Sequence, residues 1–174
     1  MISTPIVDHE LLREGIKQNN IRIIDVRRED DYKAGHIKNS VNLPLAKLLN
    51  DDSVENIAKI AGELGISDNT PVVIYDDTFG ALSSRVVWAL QYIGHSDVKL
   101  LSVTFSQWKE LGLDVTTEVP EIEKSTHSIK VQSDIMATAD YLEKVKDKKN
   151  VVIIDNRERL NFLEQHIPGA INIP

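Results

Sequence analysis

Short apolar runs and helix-like apolar spacings alternate along most of this chain. The clearest case is the apolar run 72–75, which ends at Asp76 and Asp77 and precedes apolar residues at helical spacing over 81–93. A strand that stops at a turn and leads directly into a helix points the first helical amides into the loop. Because α/β proteins place chemistry at such turns, the carboxylate of Asp76 is the first candidate functional group.

The same patterns predict strands and helices in alternation on both sides of this run. The predicted strands are 21–26, 72–75, 98–101, 129–131 and 151–154. Four predicted helices start at Asp8, Pro44, Ser53 and Ser133. Two more are predicted at 81–93 and 105–111, each after a loop. In the first helix, Leu11, Leu12 and Ile16 are expected on the inner side. This alternation predicts an α/β fold with a parallel central sheet flanked by helices on both faces.

Residues 114–128 interrupt the alternation. They are charged, contain Pro120 and show no apolar period, which is typical of an inter-domain linker. We therefore expect a complete first domain at 1–115, a linker at 116–128 and the beginning of a second domain at 129–174.

An internal repeat supports this division. The offset is 130 positions without a gap, as from Asp25 to Asp155. The other matched pairs are Arg27 and Arg157, Tyr32 and Phe162, His36 and His166, and Pro44 and Pro174. Because the first copy continues for about seventy residues past Pro44, the second copy is expected to be truncated, lacking its central strand and the loop that follows. Such a partial copy would leave an apolar face uncovered, so we expect it to pack on the first domain, to form a homodimer with another copy, or to be mobile.

Composition narrows the functional classes. The 174 residues are 41% apolar, which is enough for a sizeable core, and the net charge of -7 argues against nucleic acid or an anionic membrane as a partner. No apolar stretch is long enough to span a bilayer and the N-terminus lacks the features of a secretory signal, so the expected location is cytoplasmic. The absence of cysteine removes disulfides, thiolate metal sites and cysteine nucleophiles.

Polar residues near the strand ends admit structural and chemical interpretations. Asp25 with Arg27, and Asp155 with Arg157, lie two positions apart and are expected to form structural ion pairs. His36 and His166 are possible acid–base groups, but each lies in a turn and is expected to bond to nearby backbone; neither has metal-ligand spacing.

Asp76, Asp77 and Thr78 invite two further readings. The pattern is similar to the start of the phosphotransferase motif of haloacid dehalogenases, but that motif needs an acid where Thr78 stands. Adjacent carboxylates with no third oxygen ligand are a weak magnesium site. No metal and no cofactor are therefore expected.

The chain resembles the rhodanese-like family. The segment IRIIDVRREDDYKAGHIKNSVNLPLAKL resembles the opening of such a domain, with its D-x-R and G-H-I-x-x-A-x-N-x-P patterns. VVIYDD and GALSSRVVWALQYIGH resemble its central strand, active loop and following helix. FSQWKELGLDVTTEVP resembles its closing helix, and VVIIDNRERLNFLEQHIPGAINIP restarts the pattern. The resemblance implies a three-layer rhodanese-like fold followed by a partial second copy, as in tandem-domain thiosulfate and 3-mercaptopyruvate sulfurtransferases.

The resemblance also implies a chemistry. In the family, a cysteine after the central strand lies in a cradle of backbone amides, takes sulfur from a donor as a persulfide, and passes it to an acceptor such as cyanide or a thiol. Asp76 stands at the cysteine position, as in the inactive first domain of two-domain members. The corresponding pseudo-active loop is Asp76, Asp77, Thr78, Phe79, Gly80, Ala81 and Leu82. A carboxylate cannot form a persulfide, but it can fill the cradle permanently, so we expect Asp76 to be a structural plug.

Some positions depart from the family pattern. Gln165 replaces the glycine before the second histidine, and Asn156 replaces a small or branched residue. Asn161 stands where many two-domain members have an arginine that helps bind the donor's anion. Residues 102–104 replace a glycine-rich turn.

These observations give two functional hypotheses. In the first, the chain derives from a sulfurtransferase that uses a small anionic sulfur donor and a thiophilic acceptor, and is itself inactive. In the second, it is a non-catalytic rhodanese-like binding or regulatory module. Phosphatase-like chemistry on the same fold also needs the missing cysteine and ranks last.

Overall fold

The computed structural model describes residues 5–174. They form two compact units, at 5–133 and 134–174. Residues 1–4, at the start of the predicted first domain, lie outside the described residues.

The first unit is built on a five-stranded parallel sheet. Its strands, numbered in chain order with β3 and β7 outside the sheet, are β1 (Ile6–Val7), β2 (Arg22–Asp25), β4 (Ser40–Asn42), β5 (Val72–Tyr75) and β6 (Val98–Leu101). They lie in the order β1-β6-β5-β2-β4, and every neighbouring pair is parallel. Two short strands, β3 (His36–Ile37) and β7 (Val115–Thr116), pair antiparallel beside it.

Helices cover both faces of this sheet. They are α1 (His9–Gln18), α2 (Glu29–Ala34), α3 (Leu45–Leu49), α4 (Val54–Glu63), α5 (Ser83–Tyr92) and α6 (Phe105–Glu110). One face of the central strand, with Val72 and Ile74, joins a core with α3, α4 and α5. The other face, with Val73 and Tyr75, packs with α1 and α6. Because both faces are buried, the strand is a continuous apolar run, and the predicted α/β fold is confirmed.

Helix starts follow the predicted caps. The Asp8 side chain accepts a hydrogen bond from the Glu10 amide, and Ser53 accepts one from the Asn56 amide. The predicted inner side of α1 is wrong at one position, because Leu11 is 62% exposed whereas the neighbouring Leu12 is fully buried. A step of one residue turns a side chain by about 100° around a helix, so adjacent leucines do not share a face.

Residues 117–132, which we call the strap, have no regular secondary structure, belong to the first unit and include most of the predicted linker. The Ser125 amide donates to the Gly62 carbonyl at the end of α4, and the amides of Lys130 and Gln132 donate to the last carbonyls at the end of α5. Ile122 packs against the core. The strand predicted at 129–131 is therefore wrong, since these backbone groups bond to a helix end and not to another strand.

Three glycines allow the strap to approach the helices closely. A Cβ atom at Gly65 would lie 2.8 Å from the Glu123 carbonyl oxygen. A Cβ atom at Gly62 would lie 2.5 Å from the Ser125 carbonyl oxygen, and one at Gly94 would lie 2.7 Å from the Lys130 carbonyl oxygen. Gly94 also has a φ of +100°, which side-chain-bearing residues rarely adopt. The close approach of the strap to the helix ends thus requires glycine, which has no side chain, at these positions.

The second unit contains α7 (Ala139–Val145), β8 (Ile154–Asp155), α8 (Arg159–Glu164) and β9 (Ile171–Asn172). The strands β8 and β9 form a parallel pair. The helix predicted from Ser133 instead begins after Thr138, whose side chain accepts from the Tyr141 amide, and residues Ser133–Ile135 form a 3-10 turn. Apolar side chains of this unit are exposed at Val152, Ile154, Leu160, Leu163, Ile171 and Ile173. In the part of the chain described, no helix is long and apolar enough to cross a membrane.

Candidate functional site

The predicted pseudo-active loop lies at the carboxyl end of β5, between this strand and α5. The adjacent strand β2 ends at the same edge, with Asp25 beside Tyr75 in register. The chain therefore brings two of its predicted site groups, Asp25 and Asp76, to the ends of neighbouring strands.

Asp76 is held by five hydrogen-bond donors. Its Oδ1 accepts from the amides of Thr78 and Gly80 at 2.9 and 3.0 Å. Its Oδ2 accepts from the Leu82 amide at 3.0 Å, and from both the amide and the hydroxyl of Ser83 at 2.9 Å. The side chain is buried. Asp76 thus occupies the centre of an amide cradle at the N-terminus of α5.

The loop backbone creates this cradle. Phe79 and Gly80 both have positive φ angles, 54° and 89°, which turn successive amides toward one side of the loop. The turn leaves the Phe79 ring 84% exposed. Leu82 precedes α5 and has no side-chain cap of its own, so Asp76 supplies the missing acceptor for the first amides of the helix.

The cradle keeps Asp76 ionised. Burial alone would raise the pKa of this carboxyl, but hydrogen bonds from the amides of Ser83, Gly80 and Thr78 outweigh burial and lower it. An ionised carboxylate with five donors is an effective helix cap. It has no means of accepting a sulfur atom as a persulfide.

Asp77 points away from the cradle. Its two oxygens accept from the amide and the hydroxyl of Ser106, at 2.8 and 2.7 Å, near the start of α6. The adjacent carboxylates of Asp76 and Asp77 therefore bind different elements. Among residues 5–174, no cluster of three histidine, cysteine or acidic side chains has the geometry to hold a metal ion.

Asp25 and Arg27 form a buried ion pair beside the loop. The Nη2 atom of Arg27 lies 2.6 Å from Oδ2 of Asp25 and also donates to the Gly35 carbonyl. The Nε atom and the backbone amide of Arg27 bond to the same carboxylate. Burial opposes the charge of Arg27, but the bonds to Asp25 outweigh it and raise the guanidinium pKa. These contacts support a structural role.

Two aromatic residues that the sequence reasoning did not select complete this network. The Tyr75 hydroxyl donates to Oδ2 of Asp25 at 2.5 Å, and the Phe105 ring lies 3.7 Å from the Arg27 guanidinium carbon. Burial, followed by the nearby Asp25 carboxylate, raises the pKa of Tyr75 well above its ordinary value, so the phenol keeps its proton. A tyrosine ending a wholly apolar strand was the available signal, because a buried hydroxyl needs a partner.

His36 is fully buried. Its Nδ1 lies 2.8 Å from the Tyr32 carbonyl oxygen and its Nε2 lies 3.1 Å from that of Glu118 in the strap. The ring also stacks on Tyr32 with centroids 3.7 Å apart. These contacts support the expected bonding to backbone rather than an acid–base function.

The second unit repeats these contacts in exposed form. Arg157 bonds to Asp155 through its amide, Nε and Nη2, and Nη2 also donates to the Gln165 carbonyl. His166 bonds through Nδ1 to the Phe162 carbonyl and stacks on the Phe162 ring. The structure thus gives Asp155, Arg157 and His166 local contacts like those of Asp25, Arg27 and His36.

An open cavity of about 540 Å³ lies beside the filled cradle. Its wall includes Arg27, Asp77, Leu82, Phe105 and Lys109. Guanidinium and ammonium groups, together with the carboxylates of Asp31 and Asp77, thus line a space next to the loop even though the cradle itself is occupied by Asp76.

Comparison with known proteins gives a consistent relationship. The family model for the rhodanese-like domain matches residues 8–111 and 138–174. The chain is 35% identical to a probable 3-mercaptopyruvate sulfurtransferase of Schizosaccharomyces pombe, over 69% of the chain and 46% of that protein. It is 28% identical to the sulfur carrier protein TtuD of Thermus thermophilus, over 97% of the chain and 69% of that protein.

A solved structure shares the fold. The chain is similar to SseA from Escherichia coli, described as a 3-mercaptopyruvate sulfotransferase, with a TM-score of 0.87 and 24% identity over 99% of this chain and 75% of SseA. The chain spans about half the length of several curated relatives. It covers 46% of the Schizosaccharomyces pombe protein and 46% of a thiosulfate sulfurtransferase of Gallus gallus.

Proposed function

The chain belongs to the rhodanese-like domain family, and from this membership we propose that its first unit is the non-catalytic domain of a sulfurtransferase. The observation that carries the proposal is the occupied cradle. Asp76 takes up five donors at the position where the family's nucleophile lies, and the chain contains no cysteine.

The activity belongs, in this proposal, to a protein that includes a catalytic rhodanese-like domain. Sulfur passes from a small anionic donor, thiosulfate or 3-mercaptopyruvate, through a cysteine persulfide to a thiol or cyanide. Relatives named as sulfurtransferases support this class of reaction. The 174-residue chain itself does not carry out the transfer, because a carboxylate cannot hold the transferred sulfur.

An activity assay tests the first part of this proposal. The chain incubated with thiosulfate and cyanide is expected to give no thiocyanate above the rate in buffer. Thiocyanate production that scales with protein concentration would show that the chain is active without a cysteine, and would overturn the proposal.

A substitution tests the cradle. Asp76→Cys places a thiol among the same donors, which should lower the thiol pKa below the ordinary value of about 8.5. The expected results are alkylation at lower pH than for a free thiol, and a mass increase of one sulfur atom after exposure to thiosulfate. Thr78→Cys, in the same loop but outside the cradle centre, is the matched control. Equal reactivity at the two positions would show that the loop is not a nucleophile cradle.

A second candidate function is a non-catalytic binding or regulatory module. The cavity of about 540 Å³ beside the filled cradle favours it, since the Lys109 ammonium lies in its wall. Arg27, in the same wall, is already paired with Asp25. Calorimetric titration with thiosulfate is expected to show saturable binding that Lys109→Ala weakens. Absence of heat change with the native chain would remove this candidate and leave the first proposal intact.

Two further expectations remain predictions. A homodimer through the second unit would appear as a doubled mass in light scattering, driven by the exposed apolar side chains of β8, α8 and β9. A cytoplasmic location fits a cysteine-free chain, and fractionation of cells expressing the tagged protein tests it.

A further inference from the structure

A second open cavity, of about 580 Å³, lies in the first unit at the edge of the sheet opposite the pseudo-active loop. Its wall includes Arg22 at the start of β2, Asn39 just before β4, and Thr70 near the start of β5. Glu121 and Glu123 of the strap belong to the same wall. Because the strands are parallel, the cavity at their amino ends is separate from the loop at their carboxyl ends.

Arg22 is the unusual group in this wall. Its side chain is half-buried, and its buried Nε atom has no hydrogen-bond partner among residues 5–174. Burial lowers the pKa of the guanidinium, and no carboxylate of the described chain offsets this shift. Since arginine keeps its proton in proteins, Arg22 carries a charge and a buried donor that no protein acceptor matches.

Gly65 explains where the guanidinium lies. A Cβ atom at Gly65 would lie 2.8 Å from Nη2 of Arg22, so the head group fills space that only glycine leaves free. Gly65 follows the end of α4, where the helix dipole favours a cation. This field offsets part of the cost of burying the charge, but it supplies no acceptor for the Nε–H group of Arg22.

The strap brings negative charge to the same cavity. Ile122 packs against the core, and this contact keeps its neighbours Glu121 and Glu123 beside the cavity. Neither glutamate compensates the burial of Arg22. The wall therefore carries a guanidinium and two carboxylates as separated charges of opposite sign.

Separated charges select the kind of ligand. A simple anion at Arg22 would face the two carboxylates, and a simple cation at the glutamates would leave Arg22 unmatched. A guanidinium donates two parallel hydrogen bonds to a carboxylate, and an ammonium group has three donors for carboxylate oxygens. A small molecule with a carboxylate at one end and an ammonium group at the other would match both parts of the wall.

We propose that this cavity binds a small zwitterion of the α-amino acid class, with its carboxylate on Arg22 and its ammonium group on Glu121 and Glu123. A volume of about 580 Å³ is within the range of small-molecule sites and leaves space for a side chain. The site shares no wall residue with the cavity beside the pseudo-active loop. Its test is therefore independent of the proposed function.

Ligand-detected NMR tests binding with the native 174-residue chain. The probe is a mixture of the twenty common L-amino acids, each at millimolar concentration, observed by saturation transfer from the protein. At least one amino acid should give a saturable signal. Absence of a signal from all twenty would overturn the proposal.

Protein-detected NMR locates the site without a variant. The amino acid that binds should shift the ¹H–¹⁵N resonance of the Arg22 Nε–H group, because this donor gains an acceptor or lies next to one. The Nε–H resonance of Arg13, an exposed residue of α1 outside the wall, should not move. Saturation of the chain with an unmoved Arg22 resonance would place the ligand elsewhere and contradict the proposal.

Matched variants test both ends of the site. Arg22→Gln, and the double variant Glu121→Gln/Glu123→Gln, should each raise the dissociation constant by about tenfold or more, since each removes charged hydrogen bonds to the ligand. Arg13→Gln should leave it unchanged. If Arg22→Gln does not fold, the double variant still decides, because both glutamates are exposed. Native affinity in the double variant would overturn the proposal.

Ligand analogues test the requirement for two charges. The carboxylic acid that lacks the amino group and the carboxamide that lacks the carboxylate should each bind about tenfold more weakly than the amino acid. A carboxylic acid that binds as tightly as the amino acid would identify a simple anion site. An equally tight carboxamide would show that Arg22 does not hold a carboxylate, and either result contradicts the proposal.

Discussion

The Asp-x-Arg pair is formed twice in this chain, once inside a core and once near the surface. The shortest contact is 2.6 Å between Arg27 and Asp25 and 2.7 Å between Arg157 and Asp155. The side chains of Asp25 and Arg27 are 0% and 9% exposed, whereas those of Asp155 and Arg157 are 12% and 49% exposed. The same bonds in two different settings show that the short segment itself encodes the geometry, and that the surrounding core is not needed to form it.

The stacked rings give the same lesson. Tyr32 and His36 have centroids 3.7 Å apart, and Phe162 and His166 have centroids 3.9 Å apart. What differs is the connection to the rest of the unit, since the Tyr32 hydroxyl donates to the Ser40 carbonyl and Phe162 has no hydroxyl. Burial and hydrogen bonds to the rest of the unit should therefore determine how much each copy of the motif contributes to the free energy of unfolding. Exposed ion pairs are screened by water and contribute little.

Removing the acid from each copy tests this difference most strongly. Asp25→Asn leaves Arg27 as a buried cation without its counter-ion, and should lower the free energy of unfolding by about 3 kcal/mol or more. Asp155→Asn should leave the unfolding midpoint unchanged. Urea unfolding followed by circular dichroism, which also reports the helices α7 and α8 of the second unit, measures both. Equal destabilisation by the two substitutions would mean that burial does not set the weight of the pair.

Asp76 provides the second test of the difference between the two units. The first unit has a carboxylate in an amide cradle, and the described residues of the second unit have none. Asp76→Asn removes the charge and turns an amide group toward backbone donors, so unfolding should become easier by about 2 kcal/mol near neutral pH. Asp77→Asn, at a more exposed cap, is the matched control and should cost about 1 kcal/mol or less. A melting curve of Asp76→Asn that matches the native one would contradict the role of Asp76 as a plug.

The pH dependence of that effect has a definite sign. The folded-state pKa of Asp76 is lowered, so its contribution is complete above the unfolded value of about 3.9 and is lost as pH falls through the folded value. The stability gap between the native chain and Asp76→Asn should therefore shrink in acid below about pH 4. Urea unfolding at a series of pH values measures the gap.

Exchanging the aromatic residues at positions 32 and 162 compares the two copies further, with a smaller expected loss of stability. Tyr32→Phe gives the first copy the residue of the second and leaves the Ser40 carbonyl without its donor, which should cost about 1 kcal/mol. Phe162→Tyr should have no effect on the same urea transition. A Tyr32→Phe variant as stable as the native chain would show that ring stacking, and not the hydroxyl, is the useful contact.

The smallest effect is expected from Arg157. Its side-chain hydrogen bond, followed by its backbone amide, lowers the pKa of Asp155 to about 2. Arg157→Ala should raise this value toward the ordinary 3.9 or so, with no change in thermal stability. A carboxyl ¹³C NMR titration follows the change, and an unaltered Asp155 titration would mean that the bond is absent in solution.

The sequence predicts strands well where burial is two-sided. The run at 72–75 has the observed bounds of β5, because a parallel strand covered on both faces needs apolar side chains throughout. The bounds predicted for 98–101 are also those of β6, although this strand includes the half-buried Lys99. Caps at Asp8 and Ser53 were predictable for a local reason, since the side chain bonds within its own turn.

The rest depends on contacts between distant segments. Five donors meet at Asp76 only because Phe79 takes a positive φ, which its residue type seldom adopts. The strap has no period of its own, and its amides bond to the ends of helices that precede it by many residues. The buried rings of His95 and His127, whose Nδ1 and Nε2 atoms lie 3.1 Å apart, likewise join two positions that show no pattern in the sequence.

The filled cradle also limits how this loop can change by mutation. Aspartate and cysteine codons differ at their first two bases, so single base changes lead from Asp76 to cysteine only through glycine or tyrosine. Glycine would leave the donors around Asp76 facing an empty space, and a tyrosine ring is far larger than the space that the buried carboxylate fills. Each intermediate loses the cap of α5, so the genetic code and the hydrogen bonds together separate this loop from a thiol-bearing form.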